Sequence, residues 1–135
     1  SDEEEDGMTI RNPFELRSAV VFAALFALIV LLVQAARELL GESGVLLAST
    51  LAGLTDLDAI SLSLAEQSRS GLSAVVASRG LALAVAANAV FKGAMSWSIG
   101  GTRMGRRVLP WLLASGAAAI AAAWWATPWL LARLP

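Results

Sequence analysis

The chain has 135 residues, of which 57% are hydrophobic and only 16% charged, and its mean hydropathy is +0.68; a soluble domain averages about a quarter charged because its surface must be wetted. It contains neither cysteine nor histidine, which excludes disulfides, thiolate or imidazole metal sites, cysteine nucleophiles and a serine triad built from this chain alone. Any metal it binds must be held by oxygen, which favours hard ions such as Mg2+, Ca2+ or Mn2+.

The charge is unevenly placed. Five of the eleven acids form the run Asp2-Glu3-Glu4-Glu5-Asp6, and the remainder carries ten cations against six acids. Residues 1–11 therefore read as a solvated, disordered acidic head, and residues 12–135 as a single transmembrane helical domain. Four apolar blocks follow. The first, from about Ser18 to Leu40, is introduced by Asn12-Pro13-Phe14-Glu15-Leu16, where Pro and an early acid suit the first turn of a helix. A cleaved signal peptide is the competing reading, and the acidic head and later apolar blocks argue against it.

Gly41-Glu42-Ser43-Gly44 reads as a tight turn before the second block, Val45 to Ala65, which is long enough to cross ~30 Å of hydrocarbon. After the polar Glu66–Gly71 link comes a third block, Leu72 to Ile99, with Arg79-Gly80 marking the join between an interfacial part and the core span. Gly100 to Arg107 reads as a glycine-rich basic loop, and Val108 to about Ala126 as the fourth block, with Pro110 in its first turn. Trp111 at one end and Trp124, Trp125 and Trp129 at the other form aromatic belts separated by roughly 27 Å of helix. The expected fold is all-α, a polytopic transmembrane bundle of about four spans, one of them broken near the Asp56-x-Asp58 motif. Runs such as Leu81 to Ala87 have no polar side, which excludes an ordinary soluble bundle. With both termini on one side, the basic residues divide evenly between the two faces, so the chain has little bias towards one orientation.

Two features stand out from this apolar background. The second block carries Asp56 and Asp58, and a carboxylate at membrane depth costs several kcal/mol unless paired, hydrated or protonated. On a continuous helix, residues two apart point about 200° from one another, so a shared ligand requires a break, which Gly53 and Thr55 could provide. The plainer alternative places the pair near the membrane surface, capping a short helix that starts at Ala59. In the third block Asn88 and Lys92 are four apart and share a helix face, continued by Ser96. They could serve an ion site, or a Lys92–Asp bridge could simply tie helices together. No catalytic constellation is present, so an enzyme is not expected. The Gly100–Arg107 segment lacks the Lys-Ser/Thr ending of a P-loop.

The order Asn12-Pro13-x-Glu15-Leu16, Gly53-Leu54-x-Asp56-x-Asp58-Ala59-Ile60, Ala87-Asn88-x-x-x-Lys92 and Gly100-Gly101-x-x-x-Gly105-Arg106-Arg107 resembles the MgtC/SapB-type membrane proteins. The similarity is to the C-terminal membrane domain of unknown function in their longer members, and to its second half. It implies a multi-pass protein of the prokaryotic inner (cytoplasmic) membrane, linked to divalent-cation homeostasis and to magnesium in particular. A single half is expected to need a second copy, which implies a homodimer, with inverted protomers as one arrangement.

Together these readings give a small channel or transporter for divalent cations, Mg2+ foremost, set in membrane lipid and without a nucleic-acid partner or an organic cofactor. Asp56 and Asp58 are the expected metal ligands, assisted by Thr55, Ser61 and Asn88, with Lys92 as counter-charge or gate. The alternative is a non-transporting regulatory or assembly partner in cation homeostasis.

Overall fold

The computed structural model describes residues 13–133, which are helical throughout apart from short turns and include no strand. Helix α1 spans Pro13–Leu40, α2 Glu42–Gly53, α3 Leu57–Arg69 and α4 Ala74–Ala121; a π-helical turn, Ala122–Ala126, leads into α5, Thr127–Leu131. The acidic head lies outside the described residues. Two helical stretches are long and apolar enough to cross a membrane, Phe14–Leu40 and Ala74–Leu131.

Helix α1 has Glu15 in its first turn and Arg37 in its last, both favourable against the helix dipole. At 28 residues it is about 42 Å long. It ends at Gly41, whose φ of 64° reverses the chain within one residue. Helix α2 therefore runs back along α1, with Gly44 seated against the backbone of Ala36. The chain breaks at Leu54–Asp56 and α3 returns. Arg37 Nη2 donates 3.0 Å to the carbonyl of Gly71, which brings the end of α3 back beside the end of α1. Helices α2 and α3 thus form a closed hairpin, and the expectation of one crossing over 45–65 is corrected. With 12 and 13 residues, the arms are roughly 18 and 20 Å long, short of the ~20 residues that a span requires.

A second correction concerns residues 100–107. They are helical on both sides of a single residue, Gly101, where φ is 72° and ψ 176°. The three arginines and Met104 of this segment are good helix formers, so one glycine suffices for the reversal that the sequence reading spread over a loop. The two arms of α4 lie antiparallel. Gly93 faces Leu109, Ala86 faces Gly116 and Trp97 faces Gly105, each pair being equally distant from Gly101 along the chain. At the far end the Arg79 guanidinium lies 5.1 Å from the centroid of the Trp124 ring. Arg79-Gly80 is not a junction; the helix runs through it, and Gly80 lies close to Ser49 of α2 and Leu64 of α3. Near the C terminus Pro128 lacks an N–H and crowds the preceding turn, and the helix widens into the π turn just before it.

The hairpin is sandwiched between the long helices. Both α1 and α4 pack on α2 and on α3, yet no Cα of α1 comes within 8 Å of α4. The core joins Ile29 and Val33 of α1, Val45 of α2, Ala59, Ile60 and Leu64 of α3, and Val76 and Ala84 of α4. All of it lies alongside the hairpin. Beyond the hairpin tip α1 is uncovered, and every residue from 14 to 24 is exposed. Only 11% of the most apolar window of α1 is buried, which leaves a long apolar surface of the kind that marks contact with protein or membrane.

The reversal at Gly101 requires a backbone conformation essentially reserved for glycine. Gly101→Ala is expected to cost about 1–3 kcal/mol, read as a lower Tm of the helical circular-dichroism signal in detergent; an unchanged Tm would contradict the geometry described.

Candidate functional site

The hairpin tip gathers most of the polar chemistry. Helix α2 ends in a tightened turn, where the N–H groups of Thr55 and Asp56 both donate to the carbonyl of Ala52, each at 3.0 Å. The Thr55 hydroxyl donates to the same oxygen at 2.8 Å. The next carbonyl, that of Gly53, accepts from Asn88 Nδ2 at 2.8 Å, and this bond is buried. A cross-helix amide thus satisfies a carbonyl that the end of α2 leaves free. It can reach because Gly53 has no side chain: a Cβ there would lie 2.5 Å from the Ala84 Cα.

Asp56 opens α3. Its backbone is extended (φ −147°, ψ 112°), and its Oδ1 accepts from the N–H groups of Asp58 at 2.9 Å and Ala59 at 3.0 Å, the usual geometry of an N-cap aspartate. The capped helix begins at Leu57, two residues before the start considered from sequence. Oδ2 makes no hydrogen bond among the described residues. Asp56 lines a pocket of ≈ 400 Å³ with Phe14, Arg17, Ser18, Val21, Phe22 and Leu25 of α1. Because α2, 12 residues long, rises about 18 Å from the turn at Gly41, the tip lies about midway along α1.

The expected site residues disperse around this tip. Thr55 is exposed and Asp56 half-buried at the tip itself, whereas Asp58 is exposed one step into α3. The Ser61 hydroxyl donates 2.6 Å to the Leu57 carbonyl within α3. Asn88 is buried against Gly53. Lys92, one turn further along α4, is exposed and enters no ion pair among the described residues, where the one bridge described joins Arg69 to Glu66 at 3.8 Å. The two aspartates do not converge, and among the described residues no three acidic side chains gather as a metal site. The sequence reading missed Arg17 and Ser18, which share the pocket with Asp56. The available signal was their helical spacing, since Phe14, Arg17, Ser18, Val21 and Leu25 fall on one face of α1.

Among the described residues, four buried side-chain polar atoms have no hydrogen-bond partner: Ser63 Oγ, Gln67 Nε2 and Oε1, and Arg79 Nε. Gln67 lines a separate pocket of ≈ 440 Å³ with Gln34, Arg37, Glu38 and Ser70, at the open end of the hairpin and away from the tip.

Residues 1–100 match the family described as Domain of unknown function (DUF4010). The chain belongs to this family. The matched stretch takes in α1, the hairpin and the first arm of α4, and so the whole DUF4010 tip with Asp56, Asp58, Asn88 and Lys92. An uncharacterized protein of Aquifex aeolicus (strain VF5) is 35% identical over 103 residues, covering 76% of this chain and 45% of that protein. The chain thus spans about half the length of the curated relative it matches. No solved structure matches the chain.

Replacing Asn88 by Leu removes the donor to Gly53 and leaves a buried carbonyl unpaired. The expected loss is about 1–3 kcal/mol, read as a lower Tm, together with faster amide hydrogen exchange at Leu57 to Ala59 as the tip loosens. Unchanged exchange at those amides would show that Asn88 does not hold the tip.

Proposed function

We propose that this chain is an integral protein of the prokaryotic inner membrane, in which α2–α3 is a re-entrant hairpin between membrane-crossing α1 and the two crossing arms of α4. We further propose that it carries divalent cations, Mg2+ foremost, past the hairpin tip, and does so as a dimer. The observation that carries the reading is the helix break at Leu54–Asp56, which sets one carboxylate in a pocket about midway along α1. Irregular backbone at membrane depth is tolerated only where it is buried in protein or lines a water-filled cavity. The pocket is an open groove of ≈ 400 Å³ whose α1 residues are exposed apart from Leu25, so it is large enough to admit several waters to Asp56. Mg2+ suits such a place, because it dehydrates reluctantly and is commonly held by one or two carboxylates with the remaining positions filled by water. The resemblance to MgtC/SapB-type proteins is what favours magnesium among the hard cations.

In this reading the ligand set contracts to Asp56 and Thr55 at the tip, with Ser18 opposite. The counter-charge beside Asp56 is Arg17, which shares its pocket, and no longer Lys92. A guanidinium lining the same pocket opposes an arriving cation, so occupancy and release are balanced against each other. The fold also regroups the charges. Among the described residues, Arg17, Arg103, Arg106 and Arg107 fall at one end of the molecule, and Arg37, Arg69, Arg79 and Arg133 at the other. That is again an even division, which leaves insertion without a strong preference.

A second reading, a non-transporting assembly or regulatory partner, is favoured by a specific observation: Asp56 Oδ1 already caps α3, a purely structural task. Asp56→Asn separates the two, because Asn caps about as well as Asp but carries no charge. In proteoliposomes the wild type is expected to pass Mg2+, and Asp56→Asn to lower the flux about tenfold or more while its helicity and Tm stay near those of the wild type. Arg17→Gln is expected to raise apparent Mg2+ affinity, read from the concentration dependence of the flux. A folded wild type that passes no divalent cation would leave the assembly role as the standing reading.

A further inference from the structure

Two charged side chains at the level of the tip have no ion-pair partner among the described residues. Asp58 is exposed and sits on the face of α3 about 170° from the one that buries Ala59, Ile60, Ser63, Leu64 and Gln67. It heads an outward stripe with Leu62, Ala65 and Arg69, all exposed. Lys92 is also exposed. It stands one turn beyond Asn88 on the same face of α4, and Asn88 touches the tip at Gly53. The two therefore lie at similar depth, yet neither forms an ion pair among the described residues.

The proposal that follows rests on the membrane reading above. A carboxylate and an ammonium facing lipid near the bilayer middle are costly, and such groups normally face another protein surface or water. We infer that a second copy of this chain covers this face, with Asp58 of each copy paired to Lys92 of the other about a two-fold axis. Charge complementarity selects the occupant. A two-fold interface presents the same surface twice, so residue i meets j and j meets i; a surface that presents at similar depth an acid and a base, neither in an ion pair among the described residues, is complementary to itself. An acyl chain would leave both charges unpaired. The surrounding surface fits such an interface, because Leu62 of α3 and Met95 and Ile99, which share the Lys92 face of α4, are large, apolar and exposed. The uncovered half of α1, residues 14–24, and the gap between α1 and α4 leave room for the partner above the tip.

The test uses the full chain with two different affinity tags, reconstituted into phosphatidylcholine–phosphatidylglycerol vesicles. Wild-type copies are expected to co-purify. Asp58→Lys with itself and Lys92→Asp with itself each bring like charges together twice, and their co-purification is expected to fall about tenfold or more. A mixture of the Asp58→Lys and Lys92→Asp copies restores both attractive pairs and is expected to recover co-purification, an outcome that a bridge within one chain cannot produce. Because the chain contains no cysteine, a disulfide between Asp58→Cys copies and Lys92→Cys copies gives a second readout free of charge reversal. Undiminished self-association of either charge variant, or a mixture that stays apart together with cysteines that do not cross-link, would overturn the inference. Resistance of the wild type to carbonate extraction tests the membrane reading separately. A resistant but monomeric protein overturns only the dimer contact, whereas an extractable one overturns the reading beneath it.

Discussion

The architecture depends on the hydrogen bond from Asn88 Nδ2 to the carbonyl of Gly53 and on the backbone contact beside it. Gly53 and Ala84 approach so closely that even one Cβ could not fit between them, and this proximity lets a short amide reach across. In water the last carbonyls of a helix are solvated. In an apolar surrounding each unpaired one costs several kcal/mol, so a helix can end there only where something meets its carbonyls. Thr55, the tightened turn and Asn88 do this at the end of α2. The end of α2 in turn sets the depth of the tip, the position of Asp56 and the point at which α1 and α4 are left without a common neighbour.

The tip brings together two helix ends of opposite polarity. The negative end of α2 lies next to the positive end of α3, so the two partial charges oppose each other and leave little net field. Asp56 adds a full charge to this balanced point. One oxygen is held by the amides of α3, which fixes the carboxylate in place, and the other remains available on the side where Arg17 and Ser18 stand. Capping and a functional charge are compatible on a single carboxylate. The arrangement differs from a cage of several acids, and it suits a hydrated ion better than a fully stripped one.

Much of the helical pattern was legible in the sequence. The break was readable because Gly53, Thr55 and Asp56 are the residue types that end one helix and start another. The return of the chain was not, since the alternation of apolar and small residues over 45–65 fits one span as well as two short arms. What decides between them is the contact of Arg37 with Gly71, made across 34 residues that no local pattern connects. The basic segment was misread for the opposite reason. Glycines at 100, 101 and 105 suggest a loop, but Gly105 is needed for the close approach of Trp97 and only Gly101 turns the chain. Lys92 drew attention as a charge inside an apolar helix, while Arg17, near the start of α1, looked like an ordinary flanking residue. The pocket it shares with Asp56 joins positions 39 apart, so only the fold reveals it.

The distribution of burial carries the last step. Packing in this chain is concentrated beside the hairpin, where alanine, serine and glycine allow four helical segments to approach closely; Ser49, Ser63 and Ala84 are fully enclosed there. Past the tip the long helices continue for about 18 Å with no third element between them. Two apolar helices standing apart in this way gain nothing from one another, and the hydrophobic effect gives no reason for the gap to persist in water. A bilayer removes that objection on the outer faces, where lipid is as good a neighbour as leucine. It leaves the inner faces and the tip to be filled by something polar enough for Asp56 and Arg17. Water with an ion, or the matching surface of a second copy, meets that requirement; an apolar filling does not.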